Sequence, residues 1–155
     1  MDAIALMRLA IEQARLALEL DEVPIGCVIR HDATNRIIGT GFNRREIDHD
    51  PTAHAEILAM RQASHELGHW RLIDCTIVVT LEPCPMCAGA IVNARIPQLI
   101  YGCADPKAGA VRTLYRICDD ERLNHRADIT EGVLAEECAQ LLQEFFRKQR
   151  ALGKK

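Results

Sequence analysis

Apolar and polar residues alternate along the first third of the chain in a pattern that predicts one helix followed by a β-hairpin. Over residues 2–20 the apolar side chains recur every three or four positions, as the buried face of an amphipathic helix requires. Residues 27–29 and 36–42 favour strands, and the polar stretch 31–35 between them is typical of a turn. The first two strands are therefore expected to be neighbours in an antiparallel hairpin.

The rest of the chain predicts helices that alternate with further strands. Asp50 followed by Pro51 is a common beginning of a helix, which we expect to continue to about Glu66. The unbroken apolar and β-branched run at residues 75–81 is typical of a strand buried on both faces. The remaining predicted elements are a helix over residues 88–94, a strand over 98–101, a helix near 113–118, a strand over 128–130 and a helix over 133–150. This alternation predicts an α/β layered fold whose sheet is mixed because of the hairpin.

The composition is that of one globular domain. The 155 residues are 48% hydrophobic and 26% charged, close to the averages for globular proteins. No linker or internal repeat divides them, so we expect a single domain over residues 1–155. No apolar run approaches the roughly 18 residues that cross a membrane, so no membrane association is predicted. The acids and arginines within the N-terminal helix are unlike the apolar centre of a secretory signal peptide.

The seven cysteines indicate a reducing environment. Their number is odd and no signal peptide is recognised, so we expect a cytoplasmic protein without a disulfide framework. The net charge of −3 lacks the strong basic excess that marks many nucleic-acid-binding domains. Residues 140–155 nevertheless contain five basic residues and one acidic residue, which fits either a solvated helix end or a local contact with phosphates.

Four residues in two short motifs carry the chemistry of a metal site. His54 and Glu56 occur in H-A-E, and Cys84 and Cys87 occur in P-C-P-M-C, where a spacing of three puts both thiols on one side of a helix. One imidazole and two thiolates form a common zinc set. Because three protein ligands leave the fourth coordination position open, the set is typical of catalytic zinc. Glu56 then supplies a carboxylate that can take a proton from water and return it.

Two other interpretations of the same motifs stay open at this point. Cys75, Cys103 or His125 could provide a fourth ligand, which would make a closed structural zinc site. A C-x-x-C pair that follows a buried strand and begins a helix also occurs in thiol redox proteins. His54 and Glu56 are two residues apart and reach one site only if it lies over the N-terminal end of their helix. The catalytic interpretation therefore requires that placement.

Longer segments of the chain resemble one family of enzymes. An H-x-E motif with a later P-C-x-x-C motif is the signature of zinc-dependent deaminases. Beyond that signature, the chain is similar over nearly its whole length to the bacterial tRNA-specific adenosine deaminases. The segments that carry the resemblance are EVPIGCVI, GFNRRE, DPTAHAEILAMRQ, RLIDCTIVVTLEPCPMCAGAI, GCADPKAGAV, LNHRADITEGVLAEECAQLL and EFFRKQR.

The resemblance implies both a fold and an activity. It implies a cytidine deaminase-like, three-layer α/β/α fold around a mixed five-stranded sheet, assembled as a homodimer with one Zn²⁺ per subunit. It also implies hydrolytic deamination of adenosine to inosine at the wobble position of a tRNA anticodon, usually that of an arginine tRNA. The expected partner is then a tRNA anticodon stem-loop.

The resemblance also assigns roles to individual residues. His54, Cys84 and Cys87 match the zinc ligands of the family. Glu56 matches the residue that shuttles protons. The matches near the nucleic acid are Asn43 at the target nucleoside, Asp105 and Lys107 in a loop that borders the RNA, and Phe145, Phe146 and Arg147 on a C-terminal helix that helps to hold the anticodon stem-loop.

The chain departs from the family at two places. Phe42 replaces a frequent tryptophan and keeps an aromatic ring. Arg112 and Thr113 replace Gly-Ser, and because arginine lacks the backbone freedom of glycine, the resemblance extends least to the path and the RNA contacts of this loop.

Two alternative functions accompany the family's activity. The first is a free nucleobase or nucleoside deaminase on the same fold, which the basic FFRKQR tail disfavours because a small substrate has no use for it. The second is a zinc-stabilised RNA-binding module. Glu56 disfavours it, because a structural metal site has no use for a spare carboxylate.

Overall fold

A five-stranded mixed sheet with helices on both faces forms the architecture of this chain, in a computed structural model that describes residues 1–154. Lys155, one of the basic residues of the C-terminal segment, lies outside the described residues. The elements are α1 (Ala3–Glu19), β1 (Gly26–His31), β2 (Arg36–Phe42), α2 (Ala55–Leu67), β3 (Cys75–Leu81), α3 (Pro85–Asn93), β4 (Gln98–Cys103), β5 (Asp128–Thr130) and α4 (Ala135–Ala151). The predicted hairpin is β1–β2.

The strand directions bring the carboxyl ends of three strands to one edge of the sheet. The strand order is β2-β1-β3-β4-β5. β1 runs antiparallel to β2 and β3, whereas β4 is parallel to β3 and β5 is parallel to β4. Segments that follow parallel strands leave from the same edge, which is where open α/β sheets bind their ligands. The segments after β3 and β4 therefore start close together.

Alternate residues of the central strands point into two separate apolar layers. On one face, Ile77 and Val79 of β3 pack with residues of α2 and α3. On the other face, Val78 packs with residues of α1 and α4. The predicted three-layer α/β/α fold with a mixed five-stranded sheet is therefore confirmed. Within residues 1–154, no helix combines the length and apolar character needed to cross a bilayer.

Helix α1 lies very close to the sheet where it passes Gly26. A Cβ atom at Gly26 would collide with the backbone oxygen of Ala10 and the backbone nitrogen of Ala14, so this approach requires glycine. The helix contributes small side chains to the contact, since Ala10, Ala14 and Ala17 are all fully buried. The close packing fixes the end of α1, from which the chain continues to the functional site.

Two helices begin three or more residues away from their predicted starts. α2 begins at Ala55 instead of near Pro51, because Asp50 accepts hydrogen bonds from the N–H and the hydroxyl of Thr52 at 2.8 and 2.7 Å and closes a turn of its own. α3 begins at Pro85, three residues before its predicted start. A proline at this first position costs no helical hydrogen bond, because its N–H would have no partner there.

The predicted helix near residues 113–118 is wrong, and these residues form turns and irregular chain. The N–H groups of Val111, Arg112 and Thr113 all donate to the carboxylate of Glu82. The N–H groups of Leu114 and Ile117 donate to the carbonyl oxygens of Gly109 and Ala110, five and seven residues earlier, whereas an α-helix requires acceptors four residues earlier. These contacts outweigh the weak local preference for a helix.

Candidate metal centre and active-site cavity

The N-terminal ends of α2 and α3 meet beside the carboxyl end of β3. His54 is the N-cap residue of α2 and Cys84 is the N-cap residue of α3, and neither side chain caps its own helix. Cys87 lies within the first turn of α3. The positive partial charge at a helix N-terminus favours the thiolate form of a nearby cysteine. The fold therefore concentrates both predicted motifs at a place that suits anionic sulfur.

Three side chains at this place form a group that can hold a metal ion. The Nδ1 atom of His54 lies 3.5 Å from the Sγ atom of Cys84 and 3.5 Å from that of Cys87. The three ligand atoms all lie within 4.8 Å of one another. In a tetrahedral zinc site with ordinary bond lengths, a ligand nitrogen and a ligand sulfur are about 3.6 Å apart. The donor atoms and their spacing therefore fit one such ion.

The two thiols differ in acidity because they share a hydrogen bond. The hydrogen bond from Cys87, followed by one from His54, lowers the pKa of Cys84 to about 4 even though burial opposes the change. The same hydrogen bond and burial raise the pKa of Cys87. The hydrogen bond to Cys84 raises the pKa of His54. One thiolate, the form of cysteine that binds cations, is therefore formed at neutral pH.

Glu56 is a buried carboxyl group beside the three metal-binding side chains. It is 4% exposed and lies in the first turn of α2, so it and His54 both face the N-terminal end of the helix. Burial, with a smaller contribution from the charge of Cys84, raises the pKa of Glu56 to about 7. A carboxyl group with such a pKa suits proton transfer at neutral pH.

A cavity of about 1290 Å³ opens in front of this group of side chains. His54, Glu56 and Cys84 line it, whereas Cys87 is fully buried and does not. Cavities that bind small molecules usually measure about 300–1,000 Å³. The size of this cavity therefore suits part of a larger molecule.

The residues that the resemblance placed near RNA all line this cavity. Asn43 is 5% exposed, donates from Nδ2 to the carbonyl oxygen of Val23 at 3.4 Å, and accepts at Oδ1 from the N–H of Arg45 at 3.2 Å. The others that line it are Asp105, Lys107, Phe145, Phe146 and Arg147. The structure thus gathers residues from three distant parts of the sequence around one opening.

The two phenylalanines of α4 have different surroundings. Phe145 is 8% exposed and Phe146 is 40% exposed, and their rings meet edge to face with centroids 5.4 Å apart. Arg147, the next residue, is exposed. Phe145 therefore anchors the helix, whereas Phe146 and Arg147 can contact a molecule in the cavity.

None of the three candidates for a fourth metal ligand belongs to this group of side chains. Cys75 begins β3, at the opposite end of the strand from the site. His125 pairs through Nε2 with the carbonyl oxygen of Ile96 at 2.7 Å, and Cys103 contacts the carbonyl oxygen of Thr80. Among residues 1–154, the group contains only three histidine, cysteine or acidic ligands. The structure therefore offers no support for a closed site with four protein ligands.

Two buried acidic residues that no sequence motif pointed to, Glu22 and Glu82, also line the cavity. The carboxylate of Glu22 accepts the N–H groups of Glu46 and Ile47 at 3.0 to 3.2 Å. The carboxylate of Glu82 accepts backbone N–H groups from the segment after β4. A glutamate directly after the apolar run 75–81 was the signal that could have revealed the second one, because acids are rarely buried without partners.

Comparison with known proteins gives a consistent result. A family model described as MafB19-like deaminase matches residues 1–150. The tRNA-specific adenosine deaminase of Haemophilus influenzae is 48% identical to this chain over 145 residues, which are 94% of this chain and 83% of the relative. The chain belongs to the tRNA-specific adenosine deaminase family. The resemblance seen in the sequence is thereby confirmed.

Solved structures support the same fold for this deaminase. One, from studies of A-to-I editing by tRNA:A34 deaminases at the wobble position of transfer RNA, matches with a TM-score of 0.84 and 45% identity, covering 89% of this chain and 99% of that chain. A guanine deaminase from Nitrosomonas europaea matches with a TM-score of 0.80 and 24% identity, covering 92% of this chain and 83% of that chain. At this identity the second likeness concerns the fold alone.

Proposed function

We propose that this deaminase hydrolyses adenosine to inosine at the wobble position of a tRNA anticodon. The observation that carries the proposal is that the His54, Cys84 and Cys87 group, with Glu56 beside it, opens into a cavity bordered by the exposed Phe146. The relatives named tRNA-specific adenosine deaminase support the same reaction. A site for a free base would have no need of an exposed aromatic ring in its lining.

His54, Cys84 and Cys87 would hold one zinc ion per subunit, which when bound makes water a sufficient nucleophile at neutral pH. Glu56 handles the protons of the reaction. Its carboxylate accepts a proton from the attacking water, gives a proton to the N1 atom of adenine, and later helps to protonate the departing amine. Adenosine and water are thus converted into inosine and ammonia.

The substrate base must leave its stack to reach this site. The C6 atom of adenine is inaccessible in a stacked strand, and turning a base out costs least in a single-stranded loop. Asn43, which lines the cavity, is proposed to contact the nucleoside. Of the other lining residues, Lys107 and Arg147 are proposed to contact phosphates, Phe146 to stack on a base, and Asp105 to shape the loop that carries Lys107.

Further parts of the proposal rest on the resemblance to the family. We assign to this chain a single deaminase domain over residues 1–155, a homodimeric assembly, a cytoplasmic location and an arginine tRNA as substrate. The basic residues of α4, among them Lys148 and Arg150, support an RNA partner in spite of the net charge of −3, because affinity depends on local phosphate contacts.

The direct test measures inosine in an anticodon stem-loop that carries adenosine at the wobble position. We expect complete conversion with zinc-loaded enzyme and little turnover of free adenosine, guanine or cytosine. A stem-loop with adenosine at the neighbouring anticodon position serves as the matched control and should remain unmodified. Efficient turnover of a free base, without reaction on the stem-loop, would overturn the proposal in favour of a nucleobase deaminase.

A further inference from the structure

Glu82 is a buried carboxylate at the carboxyl end of β3 that takes no part in the proposed proton transfers. It is 1% exposed. Its Oε1 atom accepts hydrogen bonds from the N–H of Asp105 at 3.1 Å and from the hydroxyl of Thr113 at 2.5 Å. Its Oε2 atom accepts the N–H groups of Val111, Arg112 and Thr113 at 3.1, 2.8 and 2.9 Å. A single side chain thus organises both ends of the segment 105–113.

Backbone and hydroxyl donors, instead of a cation, balance the charge of Glu82. Among residues 1–154, no lysine, arginine or histidine forms an ion pair with it. A carboxylate withdrawn from water needs a full set of donors to offset its lost hydration. Since all of these donors belong to the segment 105–113, Glu82 determines the path of that segment.

A second set of hydrogen bonds extends this control to residues 105–108, which line the cavity and form its rim. Asp105, whose N–H is held by Glu82, accepts at Oδ1 the N–H groups of Lys107 and Ala108 at 3.0 and 3.3 Å. The N–H of Gly109 donates to the carbonyl oxygen of Asp105 at 2.9 Å. Lys107 is exposed and lines the cavity. The backbone position of Lys107 therefore depends on Glu82 through Asp105.

Two backbone hydrogen bonds, at Glu82 and at the next residue, Pro83, join this segment to the one that carries a metal-binding thiol. The N–H of Glu82 donates to the carbonyl oxygen of Cys103 at 2.9 Å, and the N–H of Ala110 donates to the carbonyl oxygen of Pro83 at 2.8 Å. Cys84 follows directly. The rim and the candidate metal centre are thus held in one fixed relation.

We infer that Glu82 is a positioning residue that holds Lys107 where a phosphate of the bound RNA passes the cavity rim. This inference rests on the proposed function. A lysine is a flexible point charge, so its contact with a phosphate depends on where its backbone is fixed. Without the bond from Asp105 to Glu82, the turn must be ordered anew at each binding event, which weakens affinity. Glu82 touches no reacting atom, so the chemical step is left nearly unchanged.

Glu82→Gln is the sharpest variant because it keeps the shape of the side chain and replaces one acceptor by a donor. If the amide nitrogen occupied the Oε2 position, it would face three N–H groups, those of Val111, Arg112 and Thr113. At the Oε1 position it faces only the N–H of Asp105 and a hydroxyl that can turn to accept. The variant therefore selectively breaks the bond to Asp105.

Gly109→Ala provides an independent disturbance that does not substitute Glu82 itself. A Cβ atom at Gly109 would collide with Oε1 of Glu82 and lie 2.6 Å from the carbonyl oxygen of Asp105. The matched control is Asp32→Asn, which alters a carboxylate that accepts the hydroxyl of Thr76 at 2.8 Å near the opposite end of β3. This control tests whether a general loss of stability can produce the same result.

The experiment measures stem-loop affinity over a range of salt concentrations with zinc-loaded enzymes. Lys107→Ala should lower the magnitude of the salt slope by about 0.7–0.9, the value for one phosphate contact, and weaken binding about fivefold at 0.15 M salt. Glu82→Gln and Gly109→Ala should each cause a similar change. The double variant Glu82→Gln with Lys107→Ala should bind no more weakly than Lys107→Ala alone. The rate at saturating RNA should stay within about twofold of the unmodified enzyme, and Asp32→Asn should leave both slope and rate unchanged.

Each other outcome has a distinct meaning. If Glu82→Gln leaves the salt slope unchanged, or if its effect adds to that of Lys107→Ala, Glu82 does not position Lys107 and the inference is wrong. A Lys107→Ala variant with the original slope also overturns it, because no phosphate contact then exists to position. Failure of the proposed function looks different, since the unmodified enzyme itself would then form no inosine in the stem-loop.

Discussion

The Nδ1 atom of His54 lies 3.5 Å from the Sγ atom of Cys84, although thirty residues separate them in the sequence. Each of the two residues is the N-cap of its helix, so the contact is made where two helix N-termini converge. A cysteine there is easily ionised. The metal-binding group is therefore built from helix ends, whose positions the central sheet determines.

Removal of any one metal-binding side chain should release the metal. We expect one zinc per chain in the unmodified protein and almost none after Cys84→Ser, Cys87→Ser or His54→Ala, because two ligands cannot hold the ion tightly. Metal analysis gives the stoichiometry, and the absorption spectrum of the cobalt form reports the ligand geometry. His65→Ala, in the last turn of the same helix, is the matched control and should retain zinc. A spectrum that requires four protein ligands would contradict the open site.

Glu56→Gln should abolish catalysis while leaving zinc in place. The amide keeps the shape of the side chain but cannot exchange protons, so single-turnover inosine formation should fall by at least the 10²–10⁴-fold that is typical of general acid–base catalysis. Stem-loop affinity should change much less, because the carboxylate acts mainly in the transition state. Glu66→Gln, an exposed residue on the same helix, should behave like the unmodified enzyme. Loss of zinc from Glu56→Gln would instead identify Glu56 as a ligand.

The adjacent phenylalanines of α4 should respond differently to truncation. Phe146→Ala should weaken stem-loop binding at least about fivefold, because stacking of a base on an aromatic ring contributes about 1–3 kcal/mol. Its free energy of unfolding should change little, since the ring is 40% exposed. Phe145→Ala should lower the free energy of unfolding by about 3 kcal/mol, as expected for a buried ring. Equal effects of the two variants on stability would contradict the orientation of α4.

Asp119 should contribute stability at neutral pH that disappears in acid. Burial opposes ionisation, but hydrogen bonds from Arg116 and Arg112 lower the pKa of Asp119 below its ordinary value. Its contribution is therefore complete above the unfolded-state pKa of about 4 and is lost as the pH falls through the folded-state value.

The corresponding test compares urea unfolding of the unmodified protein and of Asp119→Asn from pH 7 to pH 3. We expect a difference of roughly 1 kcal/mol in the free energy of unfolding at pH 7, which shrinks towards pH 3. Asp48→Asn, which removes the surface ion pair with Arg44, should have a smaller effect. A difference that grew as the pH fell would exclude the proposed origin of the shift.

Local sequence patterns predicted the elements of the fold because those patterns reflect local physics. Repeated apolar positions revealed α1, and the unbroken run 75–81 revealed β3. The spacing of Cys84 and Cys87, with the H-x-E motif, singled out side chains that the structure brings together. In each case the signal lies within a few neighbouring residues, or in motifs whose chemistry limits their arrangement.

The misplaced features depend on contacts that no local pattern contains. Residues 113–118 lack the predicted helix because the N–H groups of Leu114 and Ile117 donate to Gly109 and Ala110, in a segment that Glu82, about thirty residues earlier, also holds. Arg112 is tolerated where the family usually has glycine because its φ is not positive, and its guanidinium pairs with Asp119 at 2.8 Å. The buried and exposed roles of Phe145 and Phe146 likewise depend on how α4 packs.

The two outer strands of the sheet leave little room for another chain to extend it. β5 has only three residues and begins with the exposed Asp128. On β2, the N–H of Thr40 donates to the side chain of Gln62 from α2 at 2.8 Å. Short, charged or covered edges are the features by which proteins resist aggregation through their strands. Concentrated solutions of this protein should therefore resist growth into β-rich filaments, and copies that associate should do so through helices and loops.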